Sequence, residues 1–273
     1  MNWIRAKKDF KCPICQHPDW CTFAPQLKGW CCMRVQNSRP MKNGGWFHRA
    51  NEEARPLPKP EPEKPSIDAA ALMREWAAAT PWKYICDLAA QLFVTADSLA
   101  ALGIVWARQH HAFGFPMFNG NGLMVGIRLR AASGRKWSVT GGHEGVFLPD
   151  TPRQDTAYIL EGPTDTAAAV SLGLYCIGRP NCRSGISHTQ VTINRLRIQR
   201  CVIISDNDPP GLDPKRPYEQ PGADGAVKLA KELQVPVASI TLPTKDLRKF
   251  VEWGGTRAMI DMFQQRCVWR LPR

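Results

Sequence analysis

The sequence predicts a mixed α/β protein, with a largely parallel central sheet in its C-terminal half and a small separate ribbon of strands at its N-terminus. Three observations carry that reading. Between Ala157 and Val251, short apolar runs alternate with helix-type segments, the pattern of βαβ units. Five of the ten cysteines crowd into Cys12–Cys32. Residues 56–65 read PLPKPEPEKP, five prolines in ten positions with alternating charge, which makes an extended spacer and the clearest boundary in the chain. The chain therefore divides into a ribbon over 1–55, a linker over 56–66, a helical and basic β segment over 67–150, and an α/β domain over 151–273.

In the ribbon, Cys12-Pro-Ile-Cys15 is a turn that aims two thiolates at one metal ion. Trp20–Phe23 and Trp30–Val35 read as two short strands, and Cys21 and the Cys31–Cys32 pair lie on or beside them. A cysteine knuckle followed by a hairpin is the plan of a zinc ribbon. Tetrahedral Zn²⁺ takes four ligands, and Cys12, Cys15, Cys21 and Cys32 are the first choice. Cys31 or His48 is an alternative to either of the last two, because neither belongs to a second C-x-x-C. His17 reads as a surface turn residue. A tight cysteine cluster in an intracellular chain argues for metal rather than cross-links. Arg34, Arg39, Lys42, Trp46 and Arg49 follow, and basic residues among aromatics suit a single nucleic-acid strand.

After the spacer, Ile67–Ala79, Trp82–Leu92 and Ala96–Leu102 read as helices, with Thr95 or Asp97 capping the third and Gly103 stopping it. From Ala112 the pattern turns to strands, with Met124–Leu129 and Lys136–Val139 separated by a Ser133–Gly134 turn. Alternation puts Arg128 and Arg130 on one face, with Arg135 and Lys136 at the next turn. These four cations are candidates for holding a phosphate backbone or a nucleotide triphosphate.

The α/β half opens with the buried-type strand Ala157–Leu160, which delivers Glu161 and Gly162 at its end. Pro163, Thr164 and Asp165 start a helix that runs through the Ala-rich Thr166–Leu172 and stops at Gly173. Leu174–Ile177 is a second strand. The segment from Arg179 to Arg200 is basic. Cys201–Ser205 is a third strand and ends at Asp206, Asn207 and Asp208. The proline-rich loop Pro209–Gly225 carries Asp213, Lys215 and Arg216 and reads as a flap that touches nucleotide or template. Helix Asp224–Leu233, strand Val237–Leu242, Lys245-Asp246 and helix Leu247–Trp253 complete the domain. In an open α/β sheet, ligands sit beyond the carboxyl ends of the strands. Glu161, Asp206 and Asp208 are thereby placed at one rim, an expensive grouping of charge unless a cation neutralises it.

Composition narrows the partners. The net charge is +12, which suits a polyanion such as nucleic acid. Residues 1–65 carry 12 Lys/Arg against 6 Asp/Glu, 66–150 carry 7 against 6, and 151–273 carry 17 against 12, so the two ends carry most of the excess. No apolar run approaches the roughly 18 residues a membrane span needs. The basic N-terminus has no apolar stretch after it and is no secretory signal, so a cytoplasmic protein is expected. There is no G-x-x-x-x-G-K-[ST] motif, hence no P-loop motor.

The E-G-x-x-D at Glu161–Asp165 and the D-x-D at Asp206–Asp208 together resemble the Toprim domain, shared by DnaG-type primases, topoisomerases and some nucleases. The order of ribbon, linker, basic sheet ending in T-G-G-H-x-G-x-F, and Toprim core resembles DnaG-type primases, most of all the primase parts of phage primase–helicases and mobile-element primases. The resemblance implies an enzyme that makes RNA primers on a single-stranded DNA template from nucleoside triphosphates, as a nucleotidyltransferase. It implies Mg²⁺ or Mn²⁺ at Glu161, Asp206 and Asp208, with Asp165 and Asp246 in the same acidic set and Glu161 in acid–base chemistry. It places Arg128, Arg130, Arg135, Lys136 and Lys245 against nucleotide or DNA. It also implies a replicative helicase supplied by a separate chain. The alternatives are a non-catalytic single-stranded DNA-binding accessory protein and a Toprim nuclease.

Overall fold

The computed structural model describes residues 2–42, 44–49, 66–210 and 218–272. The chain separates into two compact units, Met1–Lys64 and Pro65–Arg273. The proline spacer over 56–65, and Asp213, Lys215 and Arg216 of the expected flap, lie outside the described residues.

The first unit is one antiparallel sheet, β1 (Ile4–Arg5), β2 (Thr22–Ala24), β3 (Gly29–Cys32) and β4 (Trp46–Arg49), paired in chain order. Its core is small: Phe10, Phe23 and Trp30 pack ring against ring with centroids 4.8–6.0 Å apart, beside buried Cys12, Cys21 and Cys32. The two expected strands are present but shorter. Cys21 stays outside β2 because its N–H closes a tight turn onto Asp19 O at 2.8 Å. Met33 and Val35 leave β3 because their N–H groups turn towards the thiols of Cys21 and Cys32, both at 3.4 Å. Gly29 is needed where β3 meets β4, since a Cβ there would lie 2.2 Å from the Phe47 ring.

The second unit begins with α1 (Ala69–Ala78), α2 (Trp82–Leu92) and α3 (Ala96–Ala101). Asp68 caps α1 by accepting the Ala71 N–H at 2.8 Å, and Thr95 caps α3 by accepting from Ser98 at 3.1 Å. They pack on an antiparallel meander, β5 (Val105–Ala107), β6 (Ala112–Phe118), β7 (Met124–Arg130) and β8 (Lys136–Ser138). Sequence reasoning located β7 and β8 but not β5 or β6. Six of the seven residues of β6 are buried, so it shows no alternation, and a continuous apolar run is not diagnostic of a strand. Phe115 is fully buried among Leu88, Leu92, Leu99 and Phe147. Phe115→Ala is expected to cost the second unit about 3–5 kcal/mol, read as a lower urea midpoint with an unchanged slope.

The remaining elements are β9 (Thr156–Glu161), α4 (Gly162–Ser171), β10 (Cys176–Arg179), α5 (Ile186–Leu196), β11 (Arg200–Ser205), α6 (Pro221–Glu232), β12 (Val237–Thr241), α7 (Leu247–Glu252) and α8 (Arg257–Gln265). The four strands form a fully parallel sheet in the order β10-β9-β11-β12. Successive residues of each strand serve opposite faces. Ile159, Ile177, Ile203 and Val237 pack with Ile193 of α5 and Leu229 of α6. Tyr158, Leu160, Val202 and Ile240 pack with Ala168 of α4, Phe250 of α7 and Ile260 of α8. The mixed α/β class with a central parallel sheet is therefore as the sequence predicts. Helices α5 and α8 were not anticipated: α5 buries two threonines beside Ile193, so its buried face is not an apolar stripe, whereas α8 does place Ile260 and Phe263 one turn apart against the core. The two sheets are joined through one short segment, in which Val146 bonds Phe118 and Phe147 bonds Gly178 in both directions at 2.8–2.9 Å. No helix among the described residues is long and apolar enough to cross a membrane.

Candidate active site and cysteine cluster

Parallel pairing brings the ends of β9 and β11 to one rim, and Glu161 and Asp206 leave the sheet there. The 206–208 turn is held in place by Asn207. Its N–H donates to Lys245 O at 2.7 Å and its side-chain amide to Leu242 O at 3.2 Å, which ties the turn to the loop carrying Asp246. Gly222, in the first turn of α6, lies against the Asp206 carbonyl, and a Cβ there would sit 2.2 Å from that oxygen.

The five carboxylates fall into two groups. Asp165 accepts the Arg248 N–H at 2.9 Å and Asp246 accepts the Lys249 N–H at 2.7 Å. Both thus cap α7, and the segment after β12 is fastened to α4 through its backbone. Glu161, Asp206 and Asp208 accept no hydrogen bond and form no ion pair among the described residues. They are the acids left open to a ligand.

Electrostatics shows what their proximity does. Burial pushes the Asp206 carboxyl up to about 9, and the charges of Asp165, Glu161, Asp246 and Asp208 add to it. Burial pushes Glu161 up to about 7, against the pull of Arg179 and with Asp208 and Asp165 adding. Asp165 rises to about 7 through burial and then Asp246. These protons are retained by the folded state where the unfolded chain releases them, near pH 4. Stability of the metal-free protein should therefore fall as pH rises from about 4 towards 9. Added Mg²⁺ or Mn²⁺ should raise Tm most at the alkaline end of that window, and Asp206→Asn should flatten the pH slope. Differential scanning fluorimetry checks this; a Tm insensitive to both pH and cation would contradict the acidic rim as a cation site.

The basic strands face this rim. Arg130 and Lys136 are register partners on β7 and β8. The Lys136 ammonium is lowered by burial and by Arg130, and the opposing pull comes from Asp165, Asp206 and Asp246. Lys136 is thus within electrostatic reach of Asp165, Asp206 and Asp246, and Arg130 is within reach of both Lys136 and Arg248. Arg130 Nε is buried without a partner. Arg128 stands two residues along β7, across from Ser138. Arg135 is drawn off onto the Trp137 ring, 5.4 Å from its centroid. Lys245 is exposed.

One residue at this rim escaped sequence reasoning. Arg179 ends β10 directly across from Glu161 in the ladder and is 1% exposed. Its guanidinium donates to Ser184 O at 3.1 and 2.9 Å and to Cys182 O at 2.9 Å. The signal was an arginine closing an apolar run, hidden because the strand was placed two residues too early. Leu174 is not in the strand, since its N–H closes the end of α4 on Ala169 O at 2.9 Å.

In the first unit the thiols of Cys12, Cys15, Cys21 and Cys32 lie within 4.8 Å of one another. Cys15–Cys21 and Cys21–Cys32 sulfurs are 3.6 and 3.9 Å apart. Zn–S bonds of about 2.3 Å in a tetrahedron put sulfurs about 3.8 Å apart, so the donor set fits Zn²⁺. The alternatives are engaged elsewhere: Cys31 Sγ donates to Gly44 O, and His48 Nε2 lies 3.0 Å from Val35 O. Among the described residues, no carboxylate group reaches comparable convergence.

No family model matches the sequence, and no curated protein matches it. Solved structures do match in fold. A DnaG primase catalytic domain bound to single-stranded DNA is similar over 73% of this chain and 77% of that one, with 12% identity and a TM-score of 0.55. The Escherichia coli primase catalytic core matches over 73% of this chain and 79% of that one, with 13% identity and a TM-score of 0.54. An Aquifex aeolicus primase comprising zinc-binding and RNA polymerase domains matches over 74% of this chain and 60% of that one, with 11% identity and a TM-score of 0.53. The fold is thus that of the catalytic core of DnaG-type primases. At this identity the likeness is one of fold.

Proposed function

We propose that this protein is a DNA primase, which makes short RNA primers on single-stranded DNA by nucleotidyl transfer. The observation that carries the reading is the rim itself. Glu161, Asp206 and Asp208 have no internal partner among the described residues, and Lys136 of β8 lies within electrostatic reach of Asp206, in a fold like that of primase cores. Divalent cations held there would neutralise charge on the attacking and leaving oxygens of an in-line displacement. Arg130 and Lys136 grip the triphosphate, and Arg128 and Lys245 extend the cationic surface to the template. Glu161, with its pKa near neutrality, takes the proton of the primer 3′-hydroxyl as that oxygen attacks the α-phosphate and diphosphate leaves. Asp165 and Asp246 hold the rim by capping α7. The four cysteines hold a structural Zn²⁺, and the ribbon engages the template where synthesis starts. A replicative helicase on a separate chain supplies the single strand.

The test is incorporation of labelled ribonucleotides on single-stranded DNA of mixed sequence with Mg²⁺ or Mn²⁺. Short labelled products are expected. Degraded template would favour a Toprim nuclease. Tight DNA binding without synthesis would favour an accessory binding protein.

A further inference from the structure

The ribbon presents an aromatic side chain in a costly way. Trp20 has φ of 66°, a region that bulky residues rarely adopt. It is the centre of a three-residue turn in which the Cys21 N–H donates to Asp19 O at 2.8 Å. This positive-φ γ-turn is the rarer and strained form. Burial does not explain it, because Trp20 is 63% exposed. The turn is held from both sides. Arg34 donates to Asp19 O at 3.1 Å and to its carboxylate at 2.9 Å, and Cys21 is fixed in the thiol cluster. Strain that the surroundings over-determine is a mark of function, and here its effect is to aim an indole outwards on a rigid base.

The unit that carries it is cationic: residues 1–49 hold nine Lys/Arg and two Asp. An exposed indole on such a surface matches an unpaired nucleobase flanked by phosphates, rather than an apolar protein face. We propose that Trp20 is a base-stacking platform for the single-stranded template, placed by the metal-supported turn. The proposal rests on the template reading above and adds to it the residue that receives a base.

The test uses the full chain and an oligonucleotide carrying 2-aminopurine, whose fluorescence is quenched on stacking. Trp20→Gly removes the indole and suits the positive φ. It is expected to weaken binding roughly 5- to 100-fold and abolish the quench, while zinc retention against a chelator is equal or better. Trp20→Phe should keep most of both signals. The ratio of native to Trp20→Gly affinity should change little with salt, because stacking releases no counterions. Unchanged affinity and quench in Trp20→Gly would overturn the stacking role and leave the indole to a protein partner. Loss of zinc together with affinity would make Trp20 structural and equally overturn it. A native protein that binds no single strand at all would instead overturn the template reading on which the proposal rests.

Discussion

Asp206→Asn is expected to lower ribonucleotide incorporation by about 10³-fold or more while leaving single-stranded DNA affinity within about twofold. Asp206 makes no internal hydrogen bond among the described residues, and burial, with four other acids adding to it, pushes its carboxyl up to about 9. Its loss therefore removes a candidate cation ligand and no basic contact to DNA. The same variant should be more heat-stable than the native protein without metal at about pH 9 and above, where it removes a partly buried carboxylate charge repelled by its neighbours. Asp246→Ala is the useful contrast. Asp246 caps α7, so that variant should lose about 1 kcal/mol of stability as well as activity. Parallel loss of DNA binding and synthesis in Asp206→Asn would contradict the separation of acidic chemistry from cationic grip.

Cys12→Ser is expected to abolish zinc binding and unfold the ribbon. Cys12 is fully buried, and the core beside it is three rings and a few small side chains. A unit this small has little apolar area to offset chain entropy, whereas a structural zinc contributes about 10–16 kcal/mol of apparent binding free energy. De novo initiation should fall by roughly two orders of magnitude, while extension of a pre-annealed primer by the second unit persists. Metal content and the two assays run side by side decide the matter. A variant with full zinc content and unimpaired initiation would rule out this role for the ribbon.

Much of the rim was legible because its signals are local. Ala157–Leu160 is apolar and ends at Glu161; Cys201–Ser205 is apolar and ends at Asp206. Each reads as a strand on its own, and the rule that ligands sit at carboxyl ends joins them. Two of the four thiols were equally open, since Cys12-Pro-Ile-Cys15 is a local turn. Arg179 was not legible: its position depends on where β10 begins, and its burial on a turn at 182–184 that receives its guanidinium. Strands β5 and β6 and helix α5 were missed because burial on both faces, or buried threonines in place of apolar residues, erases the apolar period, whereas α8 carries that period through Ile260 and Phe263.

The sequence by itself determined the element types wherever a period and a stop signal coincide, the class of fold they build, and the chemistry available at the ends of β9 and β11. The tertiary structure alone decided which acids are open and which are engaged. Asp165 meets the Arg248 N–H across 83 positions of chain, and Lys136 comes to the acids from a different sheet. It also decided which cysteines converge and that Trp20 adopts a positive φ. The physical reason is range: propensity and periodicity act over a few residues, whereas hydrogen-bond partners, burial and charge proximity are set by how distant segments pack.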